Sequence, residues 1–132
     1  MSGLVRDARL SAQTDLLVRT INGTRMEAIK QRKNFKVCPA ATPDTATVCS
    51  TDANDWIKGW LVIEGTTISQ RISSKSGVTV SSAALAVEFV GTLGTPTAAS
   101  SFTICAPTRK QMTVNIAASG RVDKRIDATV CS

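Results

Sequence analysis

The chain is 132 residues long, carries 16 Lys and Arg against 10 Asp and Glu for a formal net charge of +6, and contains four Cys and no His. That length suits one domain with a real core, and its many Thr, Ser, Val and Ala residues favour strands over a helical bundle. Without imidazole there is no base poised near neutral pH, which argues against an enzyme, and the positive charge suits a polyanion, an acidic protein face or simply solvent.

No stretch reaches the roughly 18 apolar residues of a membrane span, and the first residues lack the apolar core of a signal peptide. The cysteines nevertheless point to an oxidising compartment. Both observations fit if Met1, Ser2 and Gly3 are an appended scar and the native export segment preceded Leu4. Residues 4–33 contain no proline. Leu10, Leu17, Ile21 and Ala28 recur at helical spacing, with Val18 and Ile29 widening the stripe, so one long amphipathic helix is predicted there. Lys30, Arg32 and Lys33 suit its C-terminal dipole. Gly23 costs such a helix about 1 kcal/mol and marks a bend or a close approach of a strand.

Beyond Asn34 the pattern alternates, and residues 34–132 are expected to form the β-sheet region. Strand candidates are Phe35 to Val37, Trp60 to Ile63, Ile68 to Ile72, Val78 to Val80, Leu85 to Val90, Ser101 to Cys105 and Met112 to Ile116, separated by glycine-containing turns. A helix with one apolar stripe and a sheet with one apolar face bury each other, which gives an α+β domain with an antiparallel sheet. Gly59, between Trp56 and Trp60, reads as a position needing positive φ or close approach; Trp60 reads as core, and Trp56 either as a cover for the neighbouring loop or as core as well.

Four cysteines allow three connectivities, and the sequence does not choose among them. Cys38–Cys49 and Cys105–Cys131 close the shortest loops and are the expected pairs. A four-thiolate zinc site is disfavoured by the wide Cys38 to Cys49 spacing and the lack of His. Asp44, Asp52 and Asp55 could offer oxygens to calcium but do not have the spacing of a binding loop. Ser74 and Lys75 are adjacent, so on a strand they would point to opposite faces and could not act as a dyad. No cofactor is implied, and no phosphate-binding glycine loop is present.

The segments Thr24-Arg25-Met26-Glu27-Ala28-Ile29-Lys30, Val37-Cys38-Pro39, Cys49, Asp55-Trp56-Ile57-Lys58-Gly59-Trp60, Phe102-Thr103-Ile104-Cys105 and Ser119-Gly120-Arg121-Val122 together resemble the GspH/FimT family of minor pilins and pseudopilins. The resemblance implies a type IV pilin-like fold, one pilin-like periplasmic domain over residues 1–132, and other minor and major pilins as partners. It also implies an inner-membrane anchor through an N-terminal hydrophobic helix missing here, and eventual incorporation into an extracellular pilus. The Cys-Pro pair beside the helix and the terminal Cys resemble the pilus branch, whose minor pilins help prime assembly at the tip; a type II secretion pseudopilin is the same class of answer. With its partners absent, the N-terminal turns that carry Leu10 are expected to be partly exposed.

The FimT type further implies double-stranded DNA as a partner in natural transformation, through a C-terminal Gly-Arg-x-Arg motif. Here the matching positions are Gly120, Arg121, Val122 and Asp123, so the second Arg is an acid. Lys124, Arg125, Arg109 and Lys110 are the other basic residues available to such a site. Binding would run through phosphates, since few aromatic side chains are present to stack on bases.

Overall fold

The computed structural model describes residues 3–74 and 77–131. Helix α1 spans Gly3–Gln31, ending two residues before the expected limit. The reason is a left-handed turn: Arg32 has φ 55°, and the Lys33 amide donates back to the Ala28 carbonyl at 3.2 Å. That bond closes the helix in a Schellman arrangement, with an arginine where glycine is usual. The following chain docks only because Gly91 is small; a Cβ there would collide with the backbone of Arg32 and Lys33. The Gly91 amide also donates to Asn34 Oδ1 at 3.0 Å.

Among the described residues eight strands follow: β1 (Phe35–Pro39), β2 (Gly59–Glu64), β3 (Thr67–Ser73), β4 (Thr79–Ser81), β5 (Val87–Phe89), β6 (Ser100–Cys105), β7 (Lys110–Ile116) and β8 (Val122–Val130). They form two four-stranded antiparallel sheets, ordered β3-β2-β1-β5 and β4-β6-β7-β8, where one sheet was expected. The helix lies across both. Leu10, Leu17, Ile21 and Ala28 join one core cluster with Phe35, Val37, Trp60 and Val62 of the first sheet and Phe102, Ile104, Val114 and Ile116 of the second. Leu10 is therefore buried, at 5% exposure, and not the open contact expected of the N-terminal turns. Of the two residues expected to widen the stripe, Val18 is partly buried against this core, whereas Ile29 is exposed.

Strand β2 is an unbroken apolar run because both its faces are covered. Trp60 and Val62 face the helix, while Leu61 and Ile63 pack with Cys38 and Ala40 under the loop that follows β1. The Cys38–Cys49 bridge ties that loop down, and Cys105–Cys131 ties the end of β8 to β6. Trp56 sits on a 3-10 turn, Ala53–Ile57, and does not cover the loop. It is fully buried between the sheets, edge-on to Phe102 at 4.8 Å, with its Nε1 donating to the Ala84 carbonyl at 2.8 Å. Gly59 satisfies both expectations: its φ is 144°, and a Cβ would strike the Ile72 carbonyl and lie 2.7 Å from Pro43 Cγ.

Candidate interaction surfaces

The five basic residues singled out from the sequence do not form one patch. Arg109, on the β6–β7 turn, donates to both oxygens of Asp7 at 2.7 and 2.8 Å; this carboxylate raises its pKa still further, first by hydrogen bonding and then by charge. Lys124 donates to Asp15 at 2.5 Å. Arg121 binds the Asp123 carboxylate at 2.9 to 3.1 Å. The acid that interrupts the Gly-Arg-x-Arg pattern thus offsets the arginine beside it. Lys110 and Arg125 are exposed. Arg125 opposes Thr113 and Lys124 opposes Val114 across the β7–β8 ladder, so the two neighbours point to opposite faces of the sheet. Lys110 and Arg121 stand at opposite ends of the hairpin, about 20 Å apart at the usual rise per residue.

Gly120 and Arg121 have separate roles. Gly120 has φ 94°, and a Cβ there would lie 2.9 Å from both Arg25 Nε and the Gly94 carbonyl oxygen. Arg25 in turn donates to that same carbonyl at 2.8 Å. Two glycine turns therefore clasp one helix arginine, which joins the Arg-x-Glu-Ala and Gly-Arg-Val segments in space although about 90 residues separate them in the sequence. Gly120→Ala is expected to lower stability by about 1–3 kcal/mol through backbone strain and the displaced guanidinium. Arg121→Gln, on an exposed side chain, should stay within about 0.5 kcal/mol. Urea unfolding of the two variants distinguishes these roles; equal losses would contradict them.

The three aspartates of the loop region act apart. Asp44 accepts from Ser73 Oγ at 3.0 Å, Asp52 caps the 3-10 turn through the Asn54 amide at 2.9 Å, and Asp55 takes a short hydrogen bond from Ser50 and pairs with Lys58. The Ser50 hydroxyl is the main cause lowering the Asp55 pKa below the usual carboxylate value; burial opposes it and Lys58 assists it. Among the described residues no three His, Cys, Asp or Glu side chains come together as metal ligands. Ser74 follows β3 and its hydroxyl accepts from the buried Gln13 at 2.8 Å; Lys75 lies outside the described residues.

Apolar residues on the outward face of α1 were not expected from the periodicity, which put Ile29 on the buried stripe. Met26 and Ile29 are 64% and 41% exposed, and Leu93, on the turn beside Gly94, is 72% exposed. Gly23 lies on this outer side with nothing within 4 Å of where a Cβ would be, so it marks no close approach within the chain. A second exposed pair, Ile126 and Val130, lines the open edge of β8. No described helix is long and apolar enough to cross a membrane.

A long N-terminal helix laid across antiparallel sheets, with disulfides pinning the first loop and the last strand, defines a type IV pilin-like subunit. The chain belongs to the GspH family: the family model described as type II transport protein GspH matches residues 13–120. This places it among the minor pilins and pseudopilins of type IV pili or type II secretion systems. In structure it is similar to the type IV minor pilin FimU of Pseudomonas aeruginosa PAO1, with a TM-score of 0.70, 16% identity and 96% of each chain covered. A second crystal form of FimU gives 0.66 at 17% identity, over 91% of this chain and 95% of that one. The minor pseudopilin EpsH of the Vibrio cholerae type 2 secretion system gives 0.65 at 11% identity, over 92% of this chain and 99% of that one. No curated protein matches the sequence.

Proposed function

We propose that this protein is a non-enzymatic minor pilin of a type IV pilus, contributing to assembly at the filament tip. The observation that carries this reading is the likeness to FimU, which runs end to end over 96% of both chains and not over a shared fragment. In this reading the domain is periplasmic, is held to the inner membrane by a hydrophobic helix continuing α1 towards its N-terminus, and passes into the extracellular pilus with other minor and major pilins as neighbours. A clean deletion is expected to reduce surface pili and twitching severalfold, with complementation restoring both. Normal piliation together with a loss of exported enzymes would move the protein to a type II secretion system, the assignment that the likeness to EpsH supports.

Duplex DNA is a second reading, favoured by the net charge of +6 and by the exposed Lys110 and Arg125. Because Arg109, Arg121 and Lys124 already hold carboxylates, few phosphates would be neutralised, and the salt dependence should be shallow, with a logarithmic slope of about −0.9 per phosphate contact. A gel shift at low salt checks this. Absence of any shift there would discard DNA as a partner.

A further inference from the structure

The end of the domain where α1 begins carries positive charge that the fold does not neutralise. Arg6 and Arg9 lie one turn apart on the helix, and both are exposed. Arg6 donates to Thr108 Oγ1 at 2.9 Å and to the Pro107 carbonyl at 3.4 Å, which sets it against the β6–β7 turn. Arg9 lies against Gly77, with one guanidinium nitrogen 3.0 Å from where a Cβ there would be. From the same β6–β7 turn Arg109 holds Asp7, and the exposed Lys110 follows it. Four cations therefore meet one carboxylate, and among the described residues no acid pairs with Arg6, Arg9 or Lys110.

Apolar surface lies beside this charge. Val130, opposite Lys110 on the ladder, is 56% exposed, and Ile126, opposite Met112, is 67% exposed. With Leu10 of the helix they flank an open groove of about 460 Å³ whose rim includes Lys110 and the Asp7 and Arg109 pair. Cations beside exposed aliphatic groups suit the surface of an anionic bilayer, where phosphates meet the cations and the aliphatic groups enter between headgroups. Duplex DNA would supply the phosphates but leave Ile126 and Val130 in water. We propose that this end of the domain docks on an anionic phospholipid bilayer. Arg6, Arg9 and Lys110 bind headgroup phosphates, Ile126 and Val130 enter the interface, and the domain rests on the membrane until the subunit joins the filament. This rests on the reading of the chain as a filament subunit held in the membrane by a helix that continues α1 from this same end.

The test separates this surface from net charge. At about 0.1 M salt, where the Debye length is about 10 Å, the chain should sediment with phosphatidylglycerol vesicles and not with phosphatidylcholine vesicles. A cation at an anionic surface strengthens binding about fivefold, so Arg6→Gln/Arg9→Gln/Lys110→Gln should weaken it about a hundredfold. Arg19→Gln/Lys30→Gln/Arg32→Gln removes the same charge but should have little effect, because even Arg19 lies about 20 Å along the helix from Arg6. Ile126→Ser/Val130→Ser, which alters no charge, should weaken binding severalfold. All these side chains are exposed, so circular dichroism and thermal midpoints should match the wild type. Equal losses in the two glutamine variants would show that binding follows net charge and would overturn this surface, as would no sedimentation with phosphatidylglycerol. Full binding by the serine variant would assign the cations to polyanions in general, duplex DNA included, and would overturn the bilayer as their partner. Each of these results leaves the filament reading standing, since that is decided by the pili lost on deletion.

Discussion

Trp56→Ala is expected to destabilise the domain by about 3–5 kcal/mol, the range for removing a large buried aromatic side chain. Its indole is fully buried, edge-on to Phe102 and 6.3 Å from Trp60 between ring centroids. Few residues link the two sheets this directly, since Trp56 stands on the turn that leads into β2 while Phe102 belongs to β6. Truncation would also remove the donor to the Ala84 carbonyl, which would then need water or a new partner. Against a typical total of about 5–15 kcal/mol the loss approaches the whole stability of a marginal domain. Urea unfolding followed by far-UV circular dichroism measures it, and a loss below about 1.5 kcal/mol would show that the sheets hold together without the indole.

Opening the Cys105–Cys131 bridge should rank next. Its sequence separation of 26, against 11 for Cys38–Cys49, corresponds on a chain-entropy model to about 3.5 and 2.8 kcal/mol respectively. The double replacement Cys105→Ser/Cys131→Ser therefore costs more than its counterpart Cys38→Ser/Cys49→Ser. It should also have a local signature. Beyond the bridge, the end of β8 is held by the Cys131 amide on Arg109 O at 2.8 Å and the Thr108 amide on Cys131 O at 3.1 Å, and β8 is an edge strand. Hydrogen exchange should thus accelerate along Val122–Val130 in the first variant and not in the second. Uniform acceleration across the domain would show that the bridge supports the whole fold and not this strand.

The helix, its buried stripe, most of the strands and the family were legible because each rests on a local signal. Leu10, Leu17, Ile21 and Ala28 repeat at one period, and the Trp60 to Ile63 run is strongly strand-forming. Strand β8 was not legible. Its apolar residues Val122, Ile126 and Val130 are four apart, with acids and bases between them, because the strand lies at an edge and needs little burial. The division into two sheets was hidden for a different reason: which strands pair is a long-range choice, and no local pattern records that Trp56 would pack on Phe102. Arg109 and Lys124 were readable as charges but not as pairs. Their partners, Asp7 and Asp15, lie on the helix about 100 residues away, and only the folded arrangement brings them together, whereas Asp123 lies within two residues of Arg121.

The helix is fastened to the rest of the domain at three heights, by Asp7 to Arg109 and Asp15 to Lys124 on the second-sheet side and by Arg25 to Gly94 on the turn after β5. At 1.5 Å per residue its 29 residues form a rod of about 43 Å. A pull along that rod loads these attachments and the packed stripe between them side by side, in shear, so no single contact has to fail first. Strands peeled from an edge, by contrast, release their bonds one after another. The body of the domain is therefore mounted on its helix in the orientation that best resists axial tension, and the weak direction is sideways, at the open margin of β8.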